Sequence, residues 1–92
     1  MPTFKKKPEV VDARQFTGGL QNGSDIAFWV NSNDSLAHWL KEIPGLCLEK
    51  IHVQVDRFKH ESAYMNDWIV RRQDGHFEVL RPEEFNEQYD QV

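Results

Sequence analysis

The stretch "NDWIVRRQDGHFEVLRPEEFNEQYDQV", residues 66–92, decides the fold class. Asp74-Gly75 lies between two runs rich in aromatic and β-branched residues, 67–73 and 76–81, which is a strong short-range signal for a β-hairpin. A two-residue loop would set Val70 opposite Val79; a three-residue loop ending on Gly75 would set Ile69 opposite Val79. Both registers stay open. Pro82 then suits the first turn of a helix, where its missing N–H costs nothing, and Glu83 and Glu84 complement the helix dipole. Phe85 and Tyr89, at i and i+4, can lay one apolar edge on the sheet. The spacing predicts a helix over 82–88, with the last residues free to fray or to add an edge strand.

Working back toward the N-terminus, residues 50–58 alternate with period two. Ile51, Val53 and Val55 lie on one face, with His52, Gln54 and Asp56 on the other, the pattern of a half-buried strand. Residues 9–16, "EVVDARQF", predict another strand, with neither face cleanly apolar. The run Lys5 to Lys7 before Pro8 reads as a solvated arm. Ser24 to Asn31 predicts a short helix capped by Ser24, with Ile26, Trp29 and Val30 on one face. Phe28 falls off that stripe, which points it at a second surface.

Residues 35–43 admit two readings. As a helix, Leu36, Trp39, Leu40 and Ile43 follow the i, i+3, i+4, i+7 template, and Pro44-Gly45 stops it. As a strand, Leu36, His38 and Leu40 alternate with Ala37, Trp39 and Lys41. The local pattern favours the helix. The whole is one α+β domain, 1–92: a small antiparallel sheet, one or two short helices and a short C-terminal helix.

Ninety-two residues bury a small core, about 60–65% of the unfolded surface. The formal net charge of -4 argues against a nucleic-acid partner, since phosphate attraction requires surplus Lys and Arg. A single cysteine, Cys47, excludes an intramolecular disulfide and points to a reducing compartment. No apolar run approaches the roughly 20 residues of a membrane span, and the start does not read as a secretion signal. The expected location is a cytoplasm, without membrane insertion.

No catalytic constellation emerges. His38, His52, His60 and His76 show no helical metal-pair spacing, so they read as scattered polar residues with no metal site. Cys47, between Leu46 and Leu48, reads as a small buried hydrophobe rather than a nucleophile. Glu83, Glu84, Glu87 and Asp90 read as a solvated helix face. Gly18-Gly19 and Gly23 precede a helix start that could hold an anion, without a phosphate-loop pattern. No cofactor is expected, and the chain does not read as an enzyme. Candidate partner-contact residues are Leu36, Trp39 and Leu40, an apolar stripe with Trp39 as anchor, and Arg71 and Arg72 on the hairpin.

Two stretches together resemble a family of small proteins encoded by tailed bacteriophages and prophages. Lys6, Lys7 and Pro8 lead into Ala13, Gln15, Phe16, Thr17 and Gly18. Asp67, Trp68, Ile69, Val70, Gly75, Phe77, Pro82, Phe85 and Tyr89 follow in the family's order. Asn66 stands where the family has Gly, and Glu78-Val79-Leu80 replaces its Tyr-Pro-Cys. The resemblance covers both ends, and its members tend to have extended structure in the unmatched middle. It implies a phage accessory protein in the host cytoplasm, with no established activity and no site residue to carry over. The expected role is non-enzymatic binding of a host bacterial protein, in host takeover, exclusion of competing phages or anti-defence. Sequestration of a small anion or nucleotide, or a place as a minor virion component, are the alternatives, and a homodimer stays open.

Overall fold

The computed structural model describes residues 11–33 and 35–89. The Lys5–Lys7 run, the first two residues of the predicted 9–16 strand, and the tail after Tyr89 with Asp90 lie outside the described residues. The fold is α+β, with two three-stranded antiparallel sheets and two helices. One sheet has the order β1 (Asp12–Gln15), β5 (Trp68–Arg71), β6 (Phe77–Leu80); the other is the meander β2 (Ala37–Leu40), β3 (Lys50–Asp56), β4 (Lys59–Ala63). Helix α1 (Leu20–Asn31) lies between β1 and β2 in the chain, and α2 (Pro82–Gln88) follows β6.

The core follows from period-two burial. Ile51, Val53 and Val55 of β3 are buried on one face, with Phe16, Val30 and Ile69 among the side chains they join. From α1, Ile26 and Val30 are buried and Trp29 meets Phe77 edge-on, ring centroids 5.4 Å apart. On α2, Phe85 stacks on Trp68 at 4.0 Å with planes 6° apart, and Tyr89 leans on Phe85. The expected apolar edge of the C-terminal helix is therefore present.

The hairpin takes the three-residue register, with Ile69 opposite Val79. Gly75 closes the loop at φ 90°, a left-handed conformation that glycine adopts without steric cost. Asp74 Oδ1 accepts the His76 N–H at 2.9 Å, and that hydrogen bond holds the Asp74 carboxyl below its ordinary pKa. Asn66 has φ 74°, a left-handed turn conformation that asparagine tolerates better than most residues. Here Asp67 is buried; its carboxylate accepts the Tyr64 N–H at 2.9 Å and pairs with Arg81.

Three local expectations are corrected. Residues 37–40 form strand β2, not a helix, with Ala37 opposite Val53 and His38 opposite His52. Helix α1 starts at Leu20 rather than at a Ser24 cap, and Phe28 is 74% exposed rather than packed on a second surface. Strand β4 was not anticipated, because only Ala63 of "KHESA" is buried.

The early start of α1 is set by remote groups. Glu49 Oε2 accepts the Gly19 N–H at 2.8 Å, placing a carboxylate at the helix N-terminus where the dipole favours it. Asn22 ties the helix to β1 by accepting the Thr17 N–H and donating to the Gln15 carbonyl. Neither partner is adjacent in sequence to the residues it holds.

Candidate partner-binding face

Between β2 and β3 the chain runs out and back through residues 41–49. Pro44-Gly45 makes the turn, Gly45 at φ 79°, and Ile43 bridges to Cys47 by antiparallel backbone bonds of 3.0 Å. This arm carries apolar side chains into solvent: Ile43 is 45% exposed, Leu46 81% and Leu48 64%. Leu40, at its base, is 43% exposed. A groove of about 500 Å³ runs between the arm and Tyr64, with Lys50 in its wall.

The base of the arm is fixed. Trp39 Nε1 donates to Glu49 Oε2 at 2.8 Å, and the same oxygen caps α1. The Trp39 ring rests on Gly23, the fourth residue of that helix. Asn31, at the end of α1, holds β2 from its open side: its amide accepts the Ala37 N–H at 3.1 Å and donates to the Ala37 carbonyl at 3.2 Å. One helix thus grips the strand through a glycine and an asparagine eight residues apart in sequence.

The outward side of the β2–β3–β4 sheet continues from the arm. His38 faces outward on β2, Lys50, His52 and Gln54 on β3, and His60 and Ser62 on β4, by alternation with the buried Ala37, Ile51, Val53 and Ala63. The rings of His52 and His60 stack with centroids 5.0 Å apart and planes 11° apart. Partial burial lowers the pKa of His52, and the nearby charges of His60, Lys50 and His38 lower it further. Three histidines that are scattered in sequence therefore share one face. The signal was present in the period-two pattern: once 37–40 is a strand, His38 falls opposite His52.

Leu36 is 57% exposed and shares the outward side of the chain at β2 with His38 and Leu40 by alternation. Trp39 does not serve as a free anchor; it is half-buried, packed against the core, and its indole N–H is engaged. Arg71 ends β5 of the other sheet and Arg72 follows it into the hairpin loop, so neither is on the sheet that carries the arm. Arg72 pairs with Glu78 at 3.0 Å. Arg71 is half-buried, and its Nε has no hydrogen-bond partner among the described residues. Cys47 is partly exposed on the arm rather than buried. Leu46 and Leu48, which the sequence did not single out as contacts, are more exposed than Leu36 and Leu40, while Phe58 at the β3–β4 turn is 91% exposed.

Among the described residues, no three His, Cys, Asp or Glu side chains converge as a metal site requires. The start of α1, the expected place for a small anion, holds the Glu49 carboxylate on the Gly19 N–H. No described helix is long and apolar enough to cross a membrane. Comparison with known proteins finds no matching family model, no similar curated protein and no similar solved structure.

Proposed function

We propose that this chain is a non-enzymatic binding module that engages another protein through the arm and the outer face of the β2–β3–β4 sheet. The supporting observation is the placement of apolar mass. Leu46 and Leu48 stand in solvent at 81% and 64% exposure on a hairpin whose base is anchored by three side chains. Exposed apolar groups on a held scaffold suit partner contact, since little ordering entropy remains to be lost on binding. The resemblance to phage and prophage proteins supports a host bacterial protein as the partner, met in the host cytoplasm. A small-anion reading is less well supported, because an anion at the start of α1 would have to displace Glu49.

The test uses a photoreactive amino acid at Leu46 and, as a control, at Glu83 on α2. Crosslinking in host cells should give one discrete adduct from Leu46 and none from Glu83. Leu46→Glu should abolish binding of the identified partner with stability changed by no more than about 0.5 kcal/mol, the usual range for surface substitutions. Equal adduct patterns from both positions would exclude the arm as the contact.

A further inference from the structure

We propose that the histidine row His38, His52 and His60 receives carboxylate side chains of an acidic partner segment and couples its binding to proton uptake. This rests on the binding-module reading and names the chemistry of the partner for the same face.

The geometry comes first. Strand register sets His38 directly opposite His52, and the His60 ring stacks on that of His52 at 5.0 Å. Lys50 lies two residues before His52 on β3, hence on the same side of the strand. Ser62 stands opposite His52 and Gln54 opposite His60, so the neighbours across β4 are uncharged. The adjacent pair Lys59–Glu61 is internally neutralised at 3.4 Å, and Glu61 points to the other side of β4 by alternation. The charged groups that act on His52 are His60 from β4, Lys50 from β3 and His38 from β2, all of one sign.

That composition distinguishes between ligands. A divalent metal needs converging lone pairs, yet imidazole lone pairs lie in the ring plane, and here two planes run 11° from parallel. An anion needs only clustered donors and positive charge. The chain as a whole carries -4, which disfavours a polyanion such as nucleic acid over a segment with a few carboxylates. Leu40 lies two residues after His38 on the same side of β2, and Leu46 and Leu48 line the groove that includes Lys50, so a segment mixing acidic and aliphatic residues matches the face along its length.

Linkage fixes the sign. Protonation of His52 is opposed by its partial burial and by the like charges of His60, Lys50 and His38, and an incoming carboxylate relieves that opposition. Binding therefore takes up protons and strengthens as pH falls through the histidine range.

The experiment measures binding of a short peptide in which a few glutamates alternate with leucines to the full chain at about pH 7.5 and about pH 6, within the range where histidine changes charge. Affinity should rise about tenfold at the lower pH, equivalent to about 1.4 kcal/mol. The gain should disappear in H38Q/H52Q/H60Q and fall in H52Q alone. In the unsubstituted protein, the His52 ring resonances should titrate at higher pH when the peptide is present. Equal affinity at both pH values, or a gain that survives in the triple variant, overturns the proposal. A larger histidine-dependent gain with oligothymidylate than with the peptide also overturns it, in favour of nucleic acid. These outcomes are independent of the Leu46 adduct, so failure here and failure of the binding-module reading can be told apart.

Discussion

The indole of Trp39 occupies the space that a side chain at position 23 would need. A Cβ on Gly23 would stand 2.6 Å from Trp39 Cγ, well inside any real contact. Helix propensity and packing therefore predict opposite outcomes for Gly23→Ala. Propensity alone would stabilise α1 by roughly 0.5–1 kcal/mol. Overpacking against a ring that is itself held by Glu49 should reverse this and destabilise by about 1–3 kcal/mol. Urea denaturation decides the sign, and a stabilised variant would show that Trp39 moves freely.

Glu49 serves two donors with one oxygen, the Gly19 N–H and Trp39 Nε1, each at 2.8 Å. Glu49→Gln keeps the shape but removes the charge at the helix start, and should cost about 0.5–1 kcal/mol. Glu49→Ala removes both hydrogen bonds and should cost about 1–3 kcal/mol. Thermal denaturation ranks the two, and tryptophan emission should shift in the alanine variant as the indole loses its acceptor.

Asp67 is the buried charged residue of the described core, its side chain 3% exposed, facing Arg81 whose side chain is 54% exposed. Asp67→Ala strips the Tyr64 N–H of its acceptor and should lower stability by about 2–3 kcal/mol, the upper range for bonds to a charged group. Arg81 can rehydrate, so the loss stays below the roughly 3–5 kcal/mol of a fully buried pair. Asp67→Asn, which keeps an acceptor for the turn, should lose less. Equal losses would mean that the charge, not the turn bond, carries the interaction.

His52 has a folded-state pKa below its ordinary 6.5, because burial and the cations around it disfavour the imidazolium. The unfolded chain then binds its proton more readily than the folded one. Stability is consequently complete above 6.5 and declines as pH falls through and below that value. Denaturation curves across this range should show a decline that is smaller in His52→Gln. NMR titration should place the His52 midpoint below 6.5 in the absence of ligand.

Legibility in the sequence divides along local and remote causes. The hairpin at Asp74-Gly75 and the helix beginning at Pro82 are set by residues in contact with their own neighbours, and both are where turn chemistry put them. Strand β2 misled for a physical reason. Leu36, Trp39, Leu40 and Ile43 match a helical stripe, but three of them face solvent, and the small Ala37 is the buried residue. Its strand geometry is held by Asn31 and Gly23, which no window around 35–43 contains. The start of α1 depends in the same way on Glu49, thirty residues away. Leu36 and Leu40 are exposed because strand alternation turns them, with His38, away from the buried Ala37, whereas a helix would have put them on one stripe with Trp39. The role of Trp39 was not legible, because both helix and strand readings left its ring without a named neighbour.

Asn31 has a consequence for assembly. A strand at the margin of a sheet offers N–H and C=O groups that template further strands, the usual route to edge-to-edge polymerisation. Here a side-chain amide presents the same donor and acceptor that another backbone would bring, and it fills the Ala37 position from within the molecule. A further strand past β2 would therefore have to displace this mimic of itself at Ala37 before it could pair, beside the exposed apolar arm.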